Sequence, residues 1–223
     1  MQTEFTPKES KCFFIIFLLL LLLINFCKYF FLITKIRQYG STLEILNTIL
    51  IILLWIVPVL VYIRVFLKFS VFKFMKLKDK ILKNIFTGFL LSILLSLLLI
   101  ISHYDIVYRK LSYPLPWYIW INTILLSALS EEIVFRGLTL QVLKKWCSFW
   151  CANLFTSCLF LLIHFPQWVS SGNIVHILMS WTPVYVVVLS LIFGFVFHKT
   201  NSLWSVIILH SFHNYFAILI TFN

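Results

Sequence analysis

A succession of long apolar runs constrains this chain more than any other feature. The runs lie near residues 12–33, 43–67, 81–103, 117–140, 148–165, 183–198 and 202–221. A helix needs about 20 apolar residues to cross the hydrocarbon core of a bilayer. Lipid cannot satisfy backbone amide and carbonyl groups, so such runs must be helical. The sequence therefore predicts an all-α fold, a polytopic transmembrane helical bundle of about seven spans.

The composition excludes a soluble domain of ordinary kind. Of the 223 residues, 62% are hydrophobic and 11% are charged, and the mean hydropathy is +1.03. Soluble domains are closer to half apolar and a quarter charged. So few charges cannot cover a surface that faces water, which makes lipid the main solvent of this chain and membrane lipids its first partners.

The net charge of +11 is explained by the membrane rather than by nucleic acid. Most basic residues lie between apolar runs, most densely from Arg64 to Lys83, where they set orientation and meet anionic headgroups. We therefore expect no nucleic-acid partner and a multi-pass protein of the cell membrane with a cytoplasmic N-terminus. Lys28, Lys35 and Arg37 fall on the outer side under this assignment and argue against it.

Two adjacent carboxylates, Glu131 and Glu132, lie in the middle of the fourth apolar run. A charge at a helix centre costs at least ~2.5–3.5 kcal/mol on insertion scales, so intramembrane carboxylates indicate function by default. The alternative is a buried ion pair that only holds helices together. Glu132 and Arg136 are spaced i,i+4 and can pair, whereas Glu131 points about 100° away. Glu131 is then free to face an intramembrane polar cavity as a general base.

Imidazole and amide groups on two later runs complete the candidate site. His164 ends the fifth run, and His210 and Asn214 share a face of the last run at i,i+4, with His213 close to the same face. With Glu131, these groups could activate water and stabilise an oxyanion. They could equally hold zinc through Glu131, His164 and His210. Antiparallel counting places His164 near the outer end of its span and Glu131 at mid-membrane.

Three short motifs in this half of the chain resemble those of one membrane-protein family. Residues 130–137, SEEIVFRG, resemble the EExxxR motif of the CPBP family, and residues 160–164, FLLIH, resemble its FxxxH motif. Residues 201–204, NSLW, followed by His210 and Asn214, resemble its (T/N)xSLW…HxxxN motif. This family comprises CAAX-processing and bacteriocin-processing intramembrane proteases, also called the Abi family or Rce1-like type II CAAX endopeptidases.

The resemblance divides the chain into two parts and implies a reaction. We expect transmembrane helices without diagnostic motifs over 1–114 and a CPBP-like protease core over 115–223. The implied activity is intramembrane endopeptidase chemistry, in which Glu131 and His164 activate the water and His210 and Asn214 stabilise the oxyanion. Supporting or substrate-binding roles fall to three further residues: Glu132, Arg136 and Phe160. We favour metal-free, glutamate-dependent catalysis, with zinc as the alternative cofactor.

The substrate and the competing functions follow from the same resemblance. We expect a bacterial member that processes peptides, bacteriocin-like substrates or membrane proteins, or that gives self-immunity. One alternative is a non-catalytic immunity or scaffold protein of the same fold. Another is a small proton-coupled transporter that uses buried Glu and His side chains as a relay.

Overall fold

The computed structural model describes residues 7–30, 44–78, 80–102 and 115–221, and every regular element within these ranges is a helix. The helices are α1 (Pro7–Lys28), α2 (Glu44–Phe66), α3 (Val71–Phe74), α4 (Ile81–Ser102), α5 (119–143), α6 (Phe149–Leu162), α7 (Phe165–Ser170), α8 (Ile174–Met179), α9 (Thr182–Thr200) and α10 (Leu203–Thr221).

Several of these helices are suited to cross a membrane, which confirms the predicted helical membrane bundle. Five stretches in the described ranges are long and apolar enough: Lys11–Lys28, Glu44–Phe66, Ile81–Leu98, Phe149–Ser170 and Thr182–Thr200. Leu203–Leu219 is a shorter apolar helix. The outward faces of these helices expose large apolar side chains, as expected where lipid is the solvent. The count of seven spans stays a prediction.

Helix α5 is continuous but changes its winding three times, and it ends in the α-helical segment Leu140–Leu143. Ile119–Leu126 and Ile133–Thr139 are π-helical, and they flank the α-helical segment Ser127–Glu132. The second π segment contains Gly137, so the helix widens at this glycine and does not break there. Because π turns shift the face on which later residues lie, they commonly occur at functional sites.

Close contacts at small residues fix the helices that carry the candidate site. Gly88 of α4 touches α10, because a Cβ added there would lie 2.6 Å from the backbone oxygen of Ser205. The Ser205 hydroxyl in turn donates to the backbone oxygen of Asn84. In a second contact, Asn153 of α6 donates to the backbone of α9 at Leu191 and fills the space above Gly194. Helix α4 is thereby held in register with α10, and α6 with α9.

Basic side chains gather at one end of the bundle. Nζ of Lys11 on α1 lies 5.6 Å from the centre of the Trp146 ring. Nζ of Lys145 lies 4.9 Å from the centre of the Phe69 ring, and Phe69 belongs to the connection between α2 and α4. Burial lowers the pKa of the neighbouring Lys144 ammonium, and the nearby charge of Lys76 lowers it further. The N-terminal part of α1 and the densest basic connection therefore share one side, as expected, while cellular orientation stays a prediction.

Candidate active site

A buried ion pair on α5 forms the base of the site. The Arg136 guanidinium donates from Nη1 to Oε1 of Glu132 at 2.9 Å, and both side chains are fully buried. This is the pair that the i,i+4 spacing predicted. Arg136 also donates from Nη2 to the backbone oxygen and the hydroxyl of Ser190, each at 2.7 Å. The role of Ser190 on α9 was not predicted, because nothing in the sequence links two residues 54 positions apart.

Two aromatic rings enclose the Arg136 guanidinium. Its Cζ lies 5.0 Å from the centre of the Phe160 ring and 5.5 Å from that of Phe193. A cation over an aromatic face is attracted by the ring quadrupole, and the attraction strengthens in a water-poor site. Phe160, which the resemblance assigns a supporting role, therefore helps to stabilise the buried charge.

His210 of α10 connects the two glutamates. Its Nδ1 lies 2.8 Å from Oε1 of Glu132, and its Nε2 lies 3.9 Å from Oε2 of Glu131. An ionised carboxylate only accepts hydrogen bonds, so we assign the Nδ1 proton to the contact with Glu132. This bond holds the ring with Nε2 directed at Glu131. Spacing alone predicted an inward-facing His210 but not this partner.

Glu131 is the more accessible carboxylate of the adjacent pair. Its side chain is 16% exposed, whereas that of Glu132 is completely buried. The Ser127 hydroxyl donates to Oε1 of Glu131 at 2.5 Å, which leaves Oε2 as the oxygen nearest to His210. Sequence reasoning missed Ser127, although its i,i+4 spacing to Glu131 was a usable signal.

His164 lies where α6 ends and α7 begins. Its Nδ1 is 2.8 Å from the backbone oxygen of Phe160, so that its Nε2 remains available. The Phe160 ring is 5.1 Å from the His164 ring and 5.9 Å from the His210 ring. His164 is thus separated from His210 by one aromatic ring.

Asn214 and His213 have partners outside the glutamate network. Asn214 donates from Nδ2 to the backbone oxygen of Thr123 on α5, at 3.1 Å. The hydroxyl of Tyr185 lies 3.4 Å from Nδ1 of His213. Within the described ranges, Asn214 therefore connects α10 to the first half of α5 and makes no hydrogen bond to His210.

The residues that could ligate a metal do not converge in this arrangement. Among the described residues, no group of three or more His, Cys, Asp or Glu side chains could hold a metal ion. The Nδ1 atoms of His164 and His210 contact Phe160 and Glu132, respectively. The alternative in which Glu131, His164 and His210 hold zinc stays a prediction.

The fold and the site together define a polytopic membrane protein with a carboxylate–imidazole centre inside its helical bundle. Residues 113–216 match the model of the Rce1-like family, described as type II CAAX prenyl endopeptidase Rce1-like. This segment of the chain belongs to that family of CAAX proteases, as the motifs predicted. No curated protein and no solved structure matches the chain. All the predicted site residues lie in the matched segment, whereas α1 to α4 precede it.

Proposed function

We propose that the protein is an intramembrane endopeptidase that hydrolyses a peptide bond with a water activated by Glu131. One observation carries this proposal. Oε1 of Glu132 lies 2.8 Å from Nδ1 of His210, and Nε2 of the same ring lies 3.9 Å from Oε2 of Glu131. The distance between Nε2 and Oε2 suits a water molecule that forms a hydrogen bond to each of these two atoms. A water held between a carboxylate and an imidazole is poised for deprotonation and attack on a carbonyl carbon.

The reaction uses side chains that are already oriented. Glu131, assisted by His164, takes a proton from the water as its oxygen bonds to the substrate carbonyl carbon. The tetrahedral intermediate then collapses, the carbon–nitrogen bond breaks, and the proton passes to the leaving amine. Stabilisation of the oxyanion falls to Asn214 and to His210 in its doubly protonated form, in which Nε2 donates to the oxyanion while Nδ1 keeps its bond to Glu132. Asn214 has two amide hydrogens, so its bond to Thr123 leaves one for this purpose.

The environment of the site supports metal-free chemistry. Arg136 supplies the buried positive charge beside Glu132, and Ser127 orients Glu131. These contacts provide orientation and electrostatic stabilisation without a Lewis acid. We therefore propose a glutamate-dependent mechanism with no cofactor, which predicts that a chelator leaves activity unchanged.

The substrate that we propose is a peptide or membrane protein that reaches the site within the bilayer. Bacteriocin-like peptides, processed for maturation or for self-immunity, are the preferred class for a bacterial family member. Membrane lipids are the other partners, and we propose no nucleic-acid partner.

We further propose a cytoplasmic N-terminus, on the same side of the membrane as the basic end of the bundle that includes Lys11 and Lys145. An N-terminal epitope should bind antibody only after cells are permeabilised.

The test of this function is a cleavage assay with a matched carboxylate control. The purified protein, in liposomes, receives a set of synthetic apolar peptides, and products are identified by mass spectrometry. Glu131→Gln should reduce turnover by about 100-fold or more, because general-base catalysis contributes this much. Glu44→Gln is the control, since Glu44 is bound by Asn122 at 2.9 Å at the start of α2. Undiminished cleavage by Glu131→Gln would refute the mechanism.

A further inference from the structure

The inward face of α1 ends in a lysine. Four residues of this helix are buried at successive turns: Phe14, Leu18, Leu21 and Asn25, each at most 8% exposed. Their spacings of four, three and four residues define one stripe along the helix surface. Lys28 is the next position of this stripe, three residues after Asn25, and it is half-buried. The Lys28 side chain therefore lies on the face of α1 that packs into the bundle.

A hydrogen bond and ring packing attach this end of α1 to α5. Nε1 of Trp55 on α2 donates to the amide oxygen of Asn25 at 3.1 Å, between two buried side chains. The centre of the Trp55 ring lies 6.4 Å from that of the Phe135 ring on α5. Phe135 follows Glu131 by four residues, and Lys28 interacts electrostatically with Glu131. The lysine and the proposed general base are thus neighbours on two attached helices.

The two adjacent glutamates share one guanidinium. Carboxylates that lie side by side in a water-poor site repel each other unless positive charge offsets them. Arg136 donates to Glu132 and also acts electrostatically on Glu131. Glu131 would therefore compete with Glu132 for this cation. The ammonium of Lys28 reaches Glu131 from a different helix, so it stabilises the second carboxylate without disturbing the pair on α5.

The position of Lys28 along α1 also indicates a functional role. At 1.5 Å per residue, Lys28 lies about 26 Å along the helix axis from Lys11, which belongs to the basic end of the bundle. A lysine at the opposite end departs from the rule that basic residues collect on the cytoplasmic side. Partial burial of an ammonium group is also costly unless an anion offsets it. An interaction with Glu131 accounts for both features.

We propose that Lys28 is a positioning residue of the proposed protease, which holds the Glu131 carboxylate in place beside His210 and supplies the second positive charge of the site. This inference rests on the proposed function. It extends the site to α1, which precedes the family-matched segment 113–216. Lys28 acts through Glu131 and takes no part in the making or breaking of bonds. The site requires the charge of Lys28 rather than its shape.

A charge series at position 28 tests this role in the liposome cleavage assay. Lys28→Met should lower kcat by about tenfold, the order of effect of a nearby unit charge at an effective dielectric constant of about 20, with KM nearly unchanged. Lys28→Arg keeps the charge and should retain most of the wild-type kcat. Lys28→Glu reverses the charge and should lower kcat further than Lys28→Met does.

Lys11→Met is the matched control for this series. Lys11 lies on the same helix, but its ammonium is over the Trp146 ring at the basic end. This variant should keep kcat within about twofold of wild type, because exposed charges far from a site contribute little. Equal losses in Lys28→Met and Lys28→Arg would overturn the proposal, since shape rather than charge would then matter. Wild-type kcat in Lys28→Met would also overturn it, while leaving the proposed protease intact.

A second measurement needs no turnover. Thermal unfolding in detergent is followed for Lys28→Met, Glu131→Gln and the double variant. If the two charges interact, the fall in Tm caused by Lys28→Met should shrink by about half or more in the Glu131→Gln background. The same cycle with Lys11→Met should be additive. Additive changes for Lys28 and Glu131 overturn the proposed pairing. Coupled changes in a protein that cleaves no peptide support the pairing and refute only the proposed function.

Discussion

Nδ1 of His210 lies 2.8 Å from Oε1 of the fully buried Glu132, and this contact decides which ring nitrogen faces Glu131. The same oxygen of Glu132 also accepts from Arg136. Glu132 thus orients the His210 ring, while Glu131 is the more accessible carboxylate. The division of roles between two adjacent carboxylates arises from what each one contacts.

The hydrogen bond from Ser127 to Glu131 should affect catalysis more than stability. We expect Ser127→Ala to lower kcat by about tenfold with little change in KM, since a single hydrogen bond to a charged group contributes roughly 1.5–3 kcal/mol. Ser130→Ala is the control, because that hydroxyl donates only to the backbone of its own helix at Ser127. Steady-state kinetics check this prediction, and equal kinetic effects of the two variants would contradict it.

Breaking the Glu132–Arg136 pair should destabilise the protein strongly. Arg136→Met leaves a buried carboxylate without its cation, and loss of one partner of such a pair costs about 3–5 kcal/mol. The double variant Glu132→Leu/Arg136→Met should be more stable than the sum of the single effects, because no unpaired charge remains. Thermal unfolding in detergent measures this coupling, and additive losses would show that the pair is not coupled.

Phe160 should matter strongly for stability. It is 2% exposed and contacts Arg136, His164 and His210. Phe160→Ala should cost about 3–5 kcal/mol of stability through the cavity that it creates. Phe155→Ala on the same helix is the control, because that ring is 59% exposed. Unfolding measurements on both variants check this, and similar losses would contradict the packing described here.

Gly194 should tolerate no side chain, whereas Gly137 should accept a methyl group. A Cβ at Gly194 would overlap the Asn153 side chain, so Gly194→Ala should destabilise by about 1–3 kcal/mol. The nearest atom to a Cβ at Gly137 lies 3.4 Å away, an ordinary contact, and Gly137→Ala should change stability little. Adding Asn153→Ala to Gly194→Ala should restore part of the loss. No recovery in that double variant would locate the strain elsewhere.

The sequence predicted the features that depend on neighbouring residues. Apolar runs of sufficient length require helices in lipid, and the helical membrane bundle is confirmed. The i,i+4 spacing of Glu132 and Arg136 predicted their ion pair, because four residues complete about one helical turn. The motifs predicted the family, which the match over residues 113–216 confirms. The catalytic roles of the site residues stay predictions.

Other parts of the site could not be predicted from spacing. The π-helical turns of α5 alter the face on which residues after Glu132 lie, and a period of 3.6 residues does not describe them. Spacing predicts that Asn214 shares a face with His210, but it does not predict that the Asn214 amide contacts Thr123 of α5, 91 positions earlier. That contact depends on how α10 packs against α5.

The sequence by itself determined that lipid is the main solvent of this chain and that its fold is helical. It also placed two adjacent glutamates inside an apolar run and predicted that Glu132 pairs with Arg136. Only the tertiary structure decided that Glu132 also holds His210, 78 residues away, and that Ser190 of α9 completes the partners of Arg136. The reason is physical: spacing along one helix fixes which side chains share a face. Contacts between helices depend on packing, which here is set by close approaches such as Gly88 against Ser205.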